Sequence, residues 1–242
     1  MRTRIRRGVA VALTVSALTF TAACGGGSSD KGDDSAAKGK DKAAEQPADK
    51  PAAATPLTAA QMKAGTLTVA DLPKGWVSMK NPASTDEVPK ADKPECQPIA
   101  DLMHDKIAGA TMGANADFTG GNGANQLTHQ VMTFPGTGAA DFVTPIGEAS
   151  EKCTGFKTTM EGAPVELKVA KLAAPKTGEE SHGVRVSMDL GGAMEFALNV
   201  VVARQGSGVS RLVFLPGTPD AAKELDDLAK RAGDKFVEAA QG

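Results

Sequence analysis

The stretch Val184-Arg185-Val186-Ser187-Met188-Asp189-Leu190, followed after three residues by Met194-Glu195-Phe196-Ala197-Leu198-Asn199-Val200-Val201-Val202, decides the fold. Apolar and polar residues alternate through most of it, the period of a strand with one face turned to a core. If the apolar faces share one side, Leu190 opposes Met194 and Val184 opposes Val200. That register leaves Gly191-Gly192-Ala193 as a three-residue loop. The same rule carried to Leu212 and Phe214 pairs Val202 with Leu212 and Val200 with Phe214, leaving Gly206-Ser207-Gly208 as the next loop. Residues 182–215 therefore read as an antiparallel meander with one buried face.

Elements on either side extend the pattern. Val165, Leu167 and Val169 alternate with Glu166 and Lys168 and predict another strand, and Leu127 to Phe134 a further one. Pro219 after Thr218 opens a last helix, whose apolar stripe is Ala221, Leu225, Leu228, Ala229, Ala232, Phe236 and Val237. Thr58 and Gln61 form a capping box for a short helix ending at Gly65. A turn at Thr68 to Leu72 and a strand at Trp76 to Met79 follow. Cys96 to Ile107 reads as a helix with Ile99, Leu102, Met103 and Ile107 on one face. Ala139 to Cys153 reads as a second, kinked or shortened by Pro145. Residues 80–95 read as an exposed Pro-rich loop; 109–125 is rich in Gly and Asn, and Gly120-Gly121-Asn122-Gly123 is a strong turn signal. The expected fold is a single α+β domain, a twisted antiparallel sheet flanked by helices with the C-terminal helix packed on it.

The first residues read differently. Arg2, Arg4, Arg6 and Arg7 precede fifteen uncharged residues, Val9 to Ala23, and then Cys24. Thr21-Ala22-Ala23-Cys24 has the form of a lipobox, so residues 1–23 are expected to be a lipoprotein signal peptide and Cys24 the lipidated residue. From there to residue 56 the chain is Gly/Ser-rich and then Ala/Lys/Asp/Glu/Pro-rich, the composition of a disordered tether. As a flexible coil it would span about 30 Å. The folded domain is then 57–242. Such a protein is expected on the outer face of the cell membrane, with the membrane as partner through the lipid on Cys24.

Charge and cysteine count narrow the function. The chain holds 27 basic and 29 acidic residues, a net charge of −2. Loss of the leader removes four arginines and no acid, so the net charge becomes −6. That balance argues against a nucleic-acid partner. Three cysteines divide into Cys24 for lipid and the pair Cys96 and Cys153 for a disulfide in an oxidising compartment. The histidines are His104, His129 and His182, and none lies in a known catalytic or metal-binding motif. Their expected roles are structural or on the surface. Gly178-Glu179-Glu180-Ser181 reads as a solvated acidic turn rather than a metal or ligand loop. Trp76 fits either a cleft or the core. No catalytic residue, metal or cofactor is expected.

Several short motifs together resemble the PknH-like extracellular sensor-domain family of actinobacteria. They are Asp71-Leu72-Pro73-Lys74-Gly75-Trp76, Cys96 opening a helix, Phe142 with Cys153-Thr154-Gly155-Phe156, Gly178-Glu179-Glu180-Ser181, and Ala203-Arg204-Gln205-Gly206. The resemblance implies a twisted antiparallel sheet flanked by helices, with a cleft for an unknown ligand. The chain departs from the family's name-bearer in having one cysteine pair in the domain rather than two, and no kinase domain. The function expected is a non-catalytic, membrane-anchored, ligand-binding or sensor-like domain, with a small molecule, lipid or cell-wall component as ligand. A lipid or glycolipid carrier is the alternative and needs a large apolar cavity. A cell-envelope hydrolase using His129 or Ser181 is the third reading, and the missing motifs count against it.

Overall fold

The structure is a computed structural model and describes residues 54–80, 88–160, 162–191, 195–217 and 219–242. Cys24, the leader, nearly all of the tether, residues 81–87 of the expected Pro-rich loop, and Gly192 and Ala193 of the expected Gly191-Gly192-Ala193 loop lie outside the described residues. Among the described residues, eight strands form one antiparallel sheet in the order β1-β2-β3-β8-β7-β6-β5-β4. The strands are β1 (Val77–Ser78), β2 (Thr111–Gly120), β3 (Asn125–Thr133), β4 (Gly155–Met160), β5 (Ala163–Leu172), β6 (Glu180–Asp189), β7 (Glu195–Gln205) and β8 (Gly208–Leu215). The helices are α1 (Ala59–Gly65), α2 (Gln97–Asp101), α3 (Gly138–Lys152) and α4 (Leu225–Gln241). The chain lays down β1 to β3, crosses through α3 to the far edge, and returns strand by strand until β8 closes against β3.

The α+β class, the meander and the packing of the C-terminal helix on the sheet are as the sequence implied. The β6–β7 register is also as read, with Val184 opposite Val200. The β7–β8 register is not. Val202 opposes Arg211 and Val200 opposes Val213, one residue away from expectation, and Gly206-Ser207 is a two-residue loop. Gly206 takes φ 57° and Ser207 does not, the pattern of a turn whose first central residue is glycine. The error came from assuming one buried face. Val209 and Val213 point to the α3 side, Leu212 and Phe214 to the α4 side, and all four are buried. A strand covered on both faces loses the alternation that fixes its register.

The core therefore has two layers. One joins α2 and α3 to Met132, Phe156, Leu167, Val184, Val186, Val200, Val202, Val209 and Val213. The other joins α4 to Trp76, Phe118, Leu127, Val201, Leu212 and Phe214. Met62 of α1, Val131 and Phe236 extend this second layer. The capping box of α1 is present, with the Gln61 N–H donating to Thr58 Oγ1 at 3.2 Å and the Thr58 N–H to Gln61 Oε1 at 3.0 Å. Thr55 and Leu57 already bond to the sheet: the Ser207 hydroxyl donates to the Thr55 carbonyl and the Leu57 N–H to Thr133 Oγ1.

Four more elements differ from expectation. Strand β2 occupies the Gly- and Asn-rich stretch for which no strand was expected, while Gly121-Asn122-Gly123 makes the expected turn, with Asn122 at φ 58°. The strand's glycines serve close approach: a Cβ on Gly120 would lie 2.6 Å from the Trp76 indole, and one on Gly113 2.6 Å from Met62. The helix expected over 96–107 stops at Asp101, after which Leu102, Met103 and His104 make tighter i→i+3 bonds. α3 runs unbroken for 15 residues through Pro145. Buried Ala139, Val143, Ile146 and Ala149 anchor it on both sides of the proline, and Cys153 ties its end. The last helix begins as a 3-10 segment, Pro219–Glu224, and becomes α-helical only at Leu225.

Cys96 and Cys153 form the expected disulfide, with Cα atoms 5.2 Å apart. It joins the turn before α2 to the residue after α3. No helix among the described residues is long and apolar enough to cross a membrane.

Candidate functional site

A cavity of about 410 Å³ opens where the chain leaves α2 and where β3 turns into α3. Ile107, Phe134, Pro135 and Phe142 supply its apolar wall, with Val88 at its edge. Asp101, His104, Lys106 and Asp141 supply the polar groups. Phe134 and Phe142 stack with ring centroids 5.4 Å apart and planes 24° apart. Asp101 and Asp141 each accept one local bond, from the Gln97 amide and the Thr137 hydroxyl, both at 2.8 Å.

His104 is the buried polar group of this cavity, 6% exposed. Its Nδ1 lies 2.7 Å from the Lys106 carbonyl oxygen. The Lys106 N–H points at the same Nδ1 at 3.2 Å. Nε2 is buried and has no hydrogen-bond partner. The backbone here is held from behind. Arg211 on β8, 3% exposed, donates to the His104 carbonyl at 2.5 Å and lies 3.7 Å from Asp105. Burial lowers Arg211 to about 10, partly opposed by the Asp105 carboxylate, so it stays charged at neutral pH. Register places Gln130 opposite Arg211, and Gln130 Oε1 and Arg211 Nε are likewise buried without partners. Sequence reading missed Arg211 because an arginine between Ser210 and Leu212 reads as the solvent side of a strand.

His129 sits on the opposite face and is fully buried. The Leu67 N–H donates to its Nδ1 at 3.0 Å, and its Nε2 lies 2.8 Å from Ser210 Oγ. With Nδ1 accepting, the neutral ring carries its proton on Nε2 and donates to Ser210. A general base needs the reverse, a lone pair facing the hydroxyl. Burial drives the His129 imidazole down to about 3, helped by the positive charge of Lys235. The pair holds the α1 exit loop against the sheet. Ser181 donates to the Pro175 carbonyl at 2.6 Å and serves as a turn lock.

Gly178 and Glu179 form an exposed bend, as expected, but Glu180 is partly buried and begins β6. Arg204 pairs with both carboxylates, and Glu180 also takes bonds from Thr144 and His182. Burial pushes the Glu180 carboxyl up, but the bonds from His182, Thr144 and Arg204 outweigh it and hold it below its ordinary value. Gly147 of α3 makes room for the His182 ring, since a Cβ there would lie 2.4 Å from it. Among the described residues no cluster of His, Cys, Asp or Glu could hold a metal ion. Trp76 is a core residue, tilted against Phe214 with ring centroids 6.2 Å apart.

The fold defines an antiparallel α+β domain with helices on both faces of one sheet. It is similar to the extracellular domain of PknH from Mycobacterium tuberculosis, at 14% identity and a TM-score of 0.49. That match covers 77% of this chain and 98% of that one. It is also similar to an uncharacterized protein from Mycobacterium smegmatis, the Rv0999 ortholog, at 12% identity and a TM-score of 0.39, covering 76% and 96%. No family model and no curated protein matches the chain.

Proposed function

We propose that this chain is a lipid-anchored protein of the outer membrane face, tethered through Cys24, whose domain over 57–242 binds a ligand and performs no chemistry. The observation that carries the binding half is the cavity between residues 101–109 and the start of α3. It has an apolar wall with few polar groups and a volume within the ordinary range for small ligands. That volume favours a small molecule over a two-chain lipid, and so a binding or sensing domain over a carrier. The reversed tautomer at His129 and the turn bond of Ser181 favour binding over hydrolysis. The buried disulfide fits an oxidising compartment, and the lipobox and tether composition support the anchor.

The anchoring half is tested by expressing the full chain in an actinobacterial host fed a clickable palmitate analogue. The wild type should carry the label and sediment with membranes. Cys24→Ser should lose both. Label retained in Cys24→Ser, or a wild type found only in the soluble fraction, would overturn the anchor.

A further inference from the structure

We infer that the end of the sheet at which the chain enters the domain is the surface that meets the membrane, and that the cavity beside α3 stands at this end. The inference rests on the anchoring reading above and adds which part of the domain is turned to the lipid.

Hydrogen bonds fix the point of entry. The Ser207 hydroxyl in the β7–β8 turn donates to the Thr55 carbonyl, and the Leu57 N–H donates to Thr133 Oγ1 where β3 ends. The Phe134 N–H donates to the Ser207 carbonyl, and Phe134 and Pro135 then line the cavity. Thr111 opposes Thr133, so β2 begins at this end too, just after Ala108 and Gly109 of the cavity lining. The turns at Gly123, Gly162 and Gly191 lie at the other end of the sheet. β7 runs between the two ends, and its 11 residues span about 35 Å.

Charge separates the two ends. No charged residue occurs in 107–116, 130–140 or 205–210, the stretches around the point of entry. Ala108, Gly109, Met112, Pro135, Gly136 and Thr137 are exposed there. The nearest charges are of both signs: Lys106 and Asp141 in the cavity, and Glu179 paired with Arg204 at the next turn. At the other end Asp189 and Glu195 border the β6–β7 tip, and Glu161 falls between β4 and β5. Without its leader the chain has an acidic excess, which an anionic lipid surface repels. The loops without carboxylates therefore approach that surface at least cost. The tether, about 30 Å as a coil, already holds the domain at high effective concentration, so a weak contact suffices.

The test uses the lipidated full chain, ¹⁵N-labelled at glycine, in phosphatidylglycerol nanodiscs with and without a gadolinium-chelating headgroup lipid. The amides of Gly109, Gly136 and Gly206 should broaden several-fold more than those of Gly123, Gly162 and Gly191. Thr111→Glu with Met112→Glu, at exposed positions outside both core layers, should level this difference. Leu190→Glu, exposed at the other end, should leave it unchanged. Equal broadening at the two ends, or stronger broadening at Gly162 and Gly191, would overturn the orientation while leaving the anchor in place. A difference that survives Thr111→Glu with Met112→Glu would trace it to the tether's attachment point alone and overturn the contact. A wild type that does not co-elute with the nanodiscs would overturn the anchor and this inference with it.

Discussion

Against α4 the sheet presents Phe118, Leu127, Leu212 and Phe214, all nearly inaccessible, with His129 satisfied at both ring nitrogens. Against α3 it presents mainly valines, a buried arginine, a disulfide at the rim and a cavity. Buried polar atoms on Arg211, Gln130 and His104 lack partners on that side. The first face is filled by large side chains, and its buried histidine is neutral and doubly bonded. The second is assembled from smaller ones and covalently stapled, and it keeps unspent hydrogen-bonding capacity next to an opening. The close-packed layer and the opening thus lie on opposite sides of one sheet, so under the binding reading proposed above a change at the opening need not disturb the side that holds the fold.

The largest effect should come from breaking the filled face. Phe214 is fully buried and meets the Trp76 ring. Phe214→Ala leaves a closed void and should cost about 4 kcal/mol in urea unfolding. A loss under about 1 kcal/mol would show that this layer collapses and is not close-packed.

Next is the staple. The Cys96–Cys153 bridge spans 57 residues of sequence. Its loss in Cys96→Ser with Cys153→Ser should cost about 3 kcal/mol, mainly by freeing the unfolded chain. Hydrogen exchange should rise in α2 and α3 while α4 stays protected. Equal loss of protection on both faces would show that the two layers are one cooperative unit.

A third effect separates the faces by pH. His129 titrates at about 3 when folded, against 6.5 for the free side chain. Between those values the unfolded state binds more protons, so stability rises with pH across the window and falls as pH drops below about 6.5. The loss on going from pH 7 to pH 5 should be about 2 kcal/mol. His129→Gln removes the titrating group, so its stability should be nearly flat over that interval. An equal slope in the variant would assign the acid sensitivity elsewhere.

How much of this was legible in the sequence follows the same division. The β6–β7 register could be read because Arg185, Ser187 and Asp189 alternate cleanly with apolar neighbours. The β7–β8 register could not, because burial on both faces erased the alternation at Val209 to Phe214. Strand β2 was hidden by glycines that looked like turn formers and in fact admit Trp76 and Met62. The disulfide was legible from the cysteine count. The cavity was not, since Asp101, His104, Phe134 and Phe142 come together only through the crossover at α3. Arg211 shows the limit most plainly: its partner is a backbone carbonyl 107 positions away, which no local pattern records.

The smallest effect sharpens the contrast most. Phe142 is a phenylalanine like Phe214, and Phe142→Ala removes the same atoms. It is only half-buried, however, and it borders an existing opening. Truncation there widens a space that water already enters, so the cavity penalty that dominates at Phe214 is absent. What is lost is part of a transfer free energy and one ring contact, about 1 kcal/mol. The same variant should weaken aromatic probes in the cavity several-fold, while Phe214→Ala, measured where it remains folded, should leave them unchanged. A phenylalanine that matters little for stability and much for binding, set against one with the opposite profile, is what the division of labour between the two faces requires. Equal costs at the two positions would mean the α3 face is packed as tightly as the other and the opening beside it is incidental.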